Sequence, residues 1–108
     1  MTTLTQATKI FLSLPEAEEK SHMGHPDFRV GGKIFATLQP KKNIAVVMLS
    51  PADQAAAVQM NPAALTLKYW GKKGYVEVNL ELANVALLRA LAKAAWGNIA
   101  PKRLVASE

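Results

Sequence analysis

Apolar residues recur at Leu4, Ala7, Ile10, Phe11 and Leu14 with polar residues between them, the spacing of one buried helical face. A first helix is therefore predicted over Thr3 to Leu14; Thr2, Thr3 or Thr5 can cap its start, and Pro15 stops it. From Glu16 to Pro26 no clean period holds, although Glu18 to His22 allows a short strand and Met23-Gly24 a turn. Two β-prone runs follow, Phe28 to Val30 and Lys33 to Leu38, with Gly31-Gly32 between them. A Gly-Gly pair supplies the positive φ that a type I′ turn needs, so this is a predicted hairpin. Pro40-Lys41-Lys42-Asn43 makes the next turn. It leads into Ile44 to Leu49, a short apolar strand expected at the sheet centre, and together these runs form a meander.

Ser50-Pro51-Ala52-Asp53 has the form of a helix start, with Ser50 as cap, Pro51 at the first helical position and Asp53 completing a reciprocal capping pattern. Ala55 to Met60 continues this second helix, and Asn61-Pro62 ends it. Thr66 to Trp70 and Tyr75 to Leu80 are predicted as a second hairpin joined by Gly71-Lys72-Lys73-Gly74. In its second strand Val76 and Val78 alternate with Tyr75, Glu77 and Asn79, so one side faces water. The longest helix is predicted over Glu81 to Trp96, with Leu82, Val85, Ala86, Leu88, Ala92, Ala95 and Trp96 on its apolar stripe and Gly97-Asn98 as terminators. Ile99 to Glu108 reads as a short tail containing Pro101-Lys102-Arg103. The order helix, meander, helix, hairpin, helix predicts an α+β two-layer sandwich, an antiparallel sheet with helices on one face.

The whole chain of 108 residues suits one domain, and with half its residues hydrophobic it can bury a modest core. It has no cysteine, which removes disulfides, thiolate chemistry and cysteine-based metal sites together. No apolar run approaches the roughly 20 residues of a membrane span, and no signal peptide is read at Met1 to Leu14. A cytoplasmic address and a monomeric state are the expectations. The formal charge is +5, from thirteen Lys and Arg against eight Asp and Glu. It is unevenly spread: residues 16–19 hold three acids, whereas residues 29–73 hold Arg29, Lys33, Lys41, Lys42, Lys68, Lys72 and Lys73 against the single acid Asp53. Such a balance favours an anionic partner.

Three stretches carry a resemblance: His22-Met23-Gly24-His25-Pro26-Asp27-Phe28-Arg29-Val30-Gly31-Gly32-Lys33-Ile34-Phe35-Ala36-Thr37-Leu38, Tyr69-Trp70-Gly71-Lys72-Lys73-Gly74, and Ala95-Trp96-Gly97-Asn98-Ile99-Ala100-Pro101-Lys102-Arg103-Leu104. Together they resemble the MmcQ/YjbR family over nearly the whole chain. The resemblance implies a fold similar to that of CyaY, the bacterial frataxin-like protein, and a "double-wing" mode of DNA binding through paired hairpins. Their counterparts here are the Gly31-Gly32 hairpin and the hairpin of Gly71 to Gly74. It carries over no catalytic residue. Nor does it bring iron binding, because the first helix lacks the acidic residues that an iron-binding ridge requires.

Read residue by residue, the basic set is the leading candidate for a site. Arg29, Lys33, Lys41, Lys42, Lys68, Lys72 and Lys73 sit at or beside the hairpins, with Tyr69 and Trp70 interleaved, the pattern of a surface that grips nucleic acid through phosphates and stacked bases. The competing reading is a solvated, edge-protecting lysine set. No element reads as a recognition helix, so contacts to the sugar–phosphate backbone would dominate. A second hypothesis is a protein- or small-ligand-interaction module, with the His22 to Arg29 segment and Trp70 lining a shallow groove between the sheet and the last helix. His22, His25, Asp27, Arg29, Lys33 and Trp70 would form that lining. His22 and His25 beside Asp27 lack the further ligands of a metal site. No cofactor is implied, and the serines and carboxylates form no catalytic constellation, so the expectation is a non-enzymatic domain.

Overall fold

The computed structural model describes residues 1–22, 24–69 and 74–106. Among them the chain runs α1 (Leu4–Leu12), β1 (Glu18–His22), β2 (His25–Val30), β3 (Lys33–Gln39), a 3₁₀ turn (Pro40–Lys42), β4 (Ile44–Val47), α2 (Pro51–Met60), β5 (Leu65–Lys68), β6 (Tyr75–Asn79), α3 (Val85–Ile99) and α4 (Lys102–Ala106). The strands form one antiparallel sheet in the order β1-β2-β3-β4-β6-β5. The expected meander is thus present as four consecutive strands. The second hairpin joins it through β6, which leaves β5 as an edge and β4 in the interior of the sheet.

The strand period assigns the two faces. Phe28, Ala36, Leu38, Ala45, Val47, Val76, Val78 and Leu65 share cross-strand pairs on one face and are all buried. Against this face pack α1 and α3: Phe11 of α1 lies 4.9 Å from Phe28 and 6.1 Å from Phe35, ring centre to ring centre. Phe35 reaches the same side because the register slips there. Phe28 pairs with Ala36 and Arg29 with Ile34, so Phe35 is the extra residue of a β-bulge. The opposite face carries Asp27, Arg29, Ile34, Thr37, Val46, Tyr75, Glu77 and Lys68, and most of these are half-buried or exposed.

Local signals account for most element ends. Thr3 caps α1 with a full capping box, its hydroxyl accepting from the Gln6 N–H while the Gln6 side chain accepts from the Thr3 N–H. Ser50 caps α2 by accepting from the Asp53 N–H. Among the described residues the Asp53 carboxylate returns no bond, so only the forward half of that box forms; its side chain is one methylene shorter than the usual Glu. The Gly31-Gly32 tip has φ of 60° and 80°, the positive pair that an L-residue adopts only at a cost.

The last third of the chain departs from expectation in three places. α3 starts at Val85, not Glu81, because Asn84 accepts from the Leu87 N–H as the cap, while Asn79 accepts from the Glu81 N–H and holds residues 80–83 in a turn. Leu82 is consequently 57% exposed, off the buried stripe, which runs through Leu88, Leu91, Ala92, Ala95 and Trp96. Gly97 and Asn98 do not end the helix either. It continues to Ile99, where Pro101 forces the preceding Ala100 into extended backbone (φ −62°, ψ 149°). The supposed tail is α4, anchored by buried Leu104. β5 also stops at Lys68, with Tyr69 outside the strand; the predicted end, Trp70, is outside the described residues.

Candidate nucleic-acid interface

Alternating strand directions sort every connection to one end of the sheet or the other. The Gly31-Gly32 tip and the β5–β6 hairpin share one end, here the upper end, because Val47 pairs both with Ala36 below the first tip and with Val76 just below Tyr75. The β1–β2 turn and the Pro40–Asn43 turn share the lower end. The strand pairs β2–β3 and β5–β6 are centred three strand intervals apart, about 14 Å at the usual 4.7–4.9 Å spacing. That is close to the roughly 12 Å width of the DNA major groove.

This arrangement divides the basic set. Lys33 and Lys68 are exposed at the upper end, and Tyr69 beside Lys68 is 72% exposed. Lys41 and Lys42 are exposed at the lower end, about 20 Å from Lys33 by the rise along β3. The seven bases therefore do not form one surface. Trp70, Lys72 and Lys73 lie outside the described residues, within the connection between Tyr69 and Gly74.

Arg29 is committed elsewhere. Its Nε donates to Asp27 Oδ1 at 2.9 Å and its Nη2 to Asp27 Oδ2 at 3.2 Å, a two-point pair. The Asp27 side chain is 2% exposed and that of Arg29 27%. The hydrogen bonding to Asp27 raises the Arg29 pKa above its ordinary value; partial burial opposes the rise, and the carboxylate's charge adds to it. A guanidinium held this way is a fixture of the open sheet face, not a free phosphate ligand. Residues two apart on a strand point the same way, so the Asp27-Phe28-Arg29 spacing carried this signal.

The structure adds a cation that sequence reasoning left in a tail. Pro101 packs over the first tip, so close that a Cβ on Gly31 would lie 3.0 Å from its Cγ. α4 therefore begins beside that tip, and its exposed Lys102 joins the upper end. The neighbouring Arg103 bonds Glu16 through both terminal nitrogens at 3.3 Å. Among the described residues the ion pairs are Arg29–Asp27 and Arg103–Glu16, which leaves Lys33, Lys68 and Lys102 without a carboxylate partner.

Among the described residues, the predicted lining of the groove is not gathered between the sheet and α3. Asp27 and Arg29 project from the face opposite α3. His22 and His25 form a register pair at the lower end, where His25 is exposed, whereas Lys33 is at the upper end; Trp70 is outside the described residues. The described hollows are on the helix side and use other residues. One of about 380 Å³ lies between the end of α2 and the start of α3, around Met60, Pro62, Leu82 and Leu87. Another of about 320 Å³ lies between α1 and α3, around Lys9, Ile10, Val85 and Arg89. Among the described residues no three His, Asp or Glu side chains converge as a metal site would require. No helix there is long and apolar enough to cross a membrane.

The architecture has a counterpart of known structure. A Deinococcus radiodurans protein with a DUF419 domain, solved by crystallography, superposes with a TM-score of 0.76 at 19% sequence identity, over 91% of this chain and 78% of that one. At that identity the likeness is one of fold. No curated protein matches the chain. The family model YjbR matches residues 12–98, from the end of α1 to the end of α3 and so across all six strands; the chain belongs to the YjbR family.

Proposed function

We propose that this YjbR-family domain is a non-enzymatic binder of DNA, holding the sugar–phosphate backbone with the upper end of its sheet. The observation that carries the reading is the shared end of the two hairpins, where Lys33, Lys68 and Lys102 are exposed and have no described carboxylate partner. Lys72 and Lys73 belong to the same hairpin connection by sequence. Backbone contacts of this kind position a protein on DNA without reading bases, in keeping with α3, the longest described helix, whose bases are Arg89 and Lys93 alone. Lys41 and Lys42 are outside the proposed surface.

Each phosphate neutralised on a duplex contributes about −0.9 to the slope of log affinity against log salt. Three lysines give a slope of about −2.7, and about −4.5 if Lys72 and Lys73 take part. Fluorescence anisotropy of a labelled duplex, titrated with the protein between 50 and 200 mM salt, measures it. A slope in that range supports the reading; no binding at 50 mM salt removes it.

A further inference from the structure

We infer that the upper end takes single-stranded DNA in preference to duplex, with Tyr69 as a platform on which one unpaired base stacks. This rests on the proposed backbone-binding role of the same surface. Three observations carry it. Tyr69 has φ +64°, the left-handed region, where a bulky residue other than Gly or Asn is an outlier. Among the described residues, the other non-glycine residues with positive φ have local reasons: Asn43 is of the tolerant type and ends the 3₁₀ turn, and Glu16 bonds Arg103. The Tyr69 side chain remains 72% exposed, so burial of its ring does not offset that backbone conformation.

Its ring is nevertheless held. Tyr75, which pairs with Lys68 across the hairpin, meets Tyr69 at 5.9 Å between ring centres with 66° between the planes. Such an edge-to-face contact fixes the ring without covering both of its faces. Lys68 is the preceding residue, so a base on the ring would place its own or the next phosphate within reach of an ammonium. Bases inside a duplex already stack on one another and present only edges, whereas an unpaired base offers a whole π-face. An exposed, oriented aromatic beside a lysine fits the second case.

The test uses the full chain with a 20-nucleotide oligodeoxythymidine and a 20-base-pair duplex, at fixed salt. Tyr69→Gly is the informative variant, since glycine adopts the local φ freely; circular dichroism verifies that it folds. Loss of one stacked base should weaken single-strand binding about 5- to 150-fold, with duplex binding changed less than about 2-fold, and Tyr69→Phe should retain wild-type affinity for both. Unchanged single-strand binding by Tyr69→Gly, or equal losses on both probes, overturns the platform and leaves backbone binding standing. Failure of the wild-type protein to bind either probe overturns the backbone reading as well.

Discussion

Replacing the upper-end lysines should flatten the salt dependence of DNA binding, and replacing the lower-end pair should not. The perturbations are a Lys33→Gln/Lys68→Gln/Lys102→Gln triple variant and a Lys41→Gln/Lys42→Gln double variant. All five side chains are exposed, so each change should cost the fold no more than about 0.5 kcal/mol. If each upper-end lysine meets one phosphate, its loss takes about 0.9 from the slope, which is about 3.5-fold in affinity between 50 and 200 mM salt. The triple variant should then lose about 2.7 from the slope, and its affinity should fall about 40-fold less than that of the wild type across that range. Lys41 and Lys42 are about 20 Å from the first tip, two Debye lengths at 0.1 M salt, so their field there is screened to roughly a seventh. Their removal should change the slope by less than about 0.3. Anisotropy at four salt concentrations reads both values. Equal flattening by the two variants would mean instead that DNA contacts both ends of the sheet.

Other substitutions test the fold that presents this surface. Phe11→Ala empties the contact between α1 and the Phe28 and Phe35 rings. It should cost about 3–5 kcal/mol, lowering the melting temperature by about 13–22 °C at the usual unfolding entropy per residue. Gly31→Ala puts a side chain at φ +60° against Pro101 and should cost about 1–2 kcal/mol, or roughly 4–9 °C by calorimetry. Thr3→Ala removes the α1 capping box and should cost about 1 kcal/mol, or about 4 °C, with DNA binding unaffected, since Thr3 is at the lower end beside Thr2, which bonds Leu80 and Ala83.

What could be read in the sequence was what is decided locally. Gly31-Gly32 specified its tip through backbone freedom, Thr3 and Ser50 specified helix starts through hydroxyl caps, and the Val76/Val78 alternation specified a half-buried strand. Where two local signals competed, periodicity misled. Leu82 fits the helical stripe by spacing, yet Asn79 and Asn84 bond the intervening backbone into a turn and delay the helix. Gly97 and Asn98 resemble a terminator, but the helix runs on, and the Asn98 side chain donates to the Met48 carbonyl at 2.9 Å. The site was less legible for a different reason. Lys33 and Lys41 stand at opposite ends of one strand, but whether Lys68 shares a surface with Lys33 or with Lys41 depends on β6 inserting between β4 and β5, which is a long-range pairing. Lys102 reaches the upper end because Pro101 packs on Gly31, a contact between residues far apart in the sequence.

Amide chemical-shift mapping by NMR shows which end of the sheet DNA contacts. Titration of the isotope-labelled protein with a short DNA oligonucleotide should move resonances at Val30, Gly31, Gly32, Lys33, Lys68, Tyr69, Tyr75 and Lys102. Gly24, His25, Lys41, Lys42 and Asn43 should stay in place. Shifts concentrated at the lower-end turns, or spread evenly over both ends, would mean that the upper end is not the binding surface.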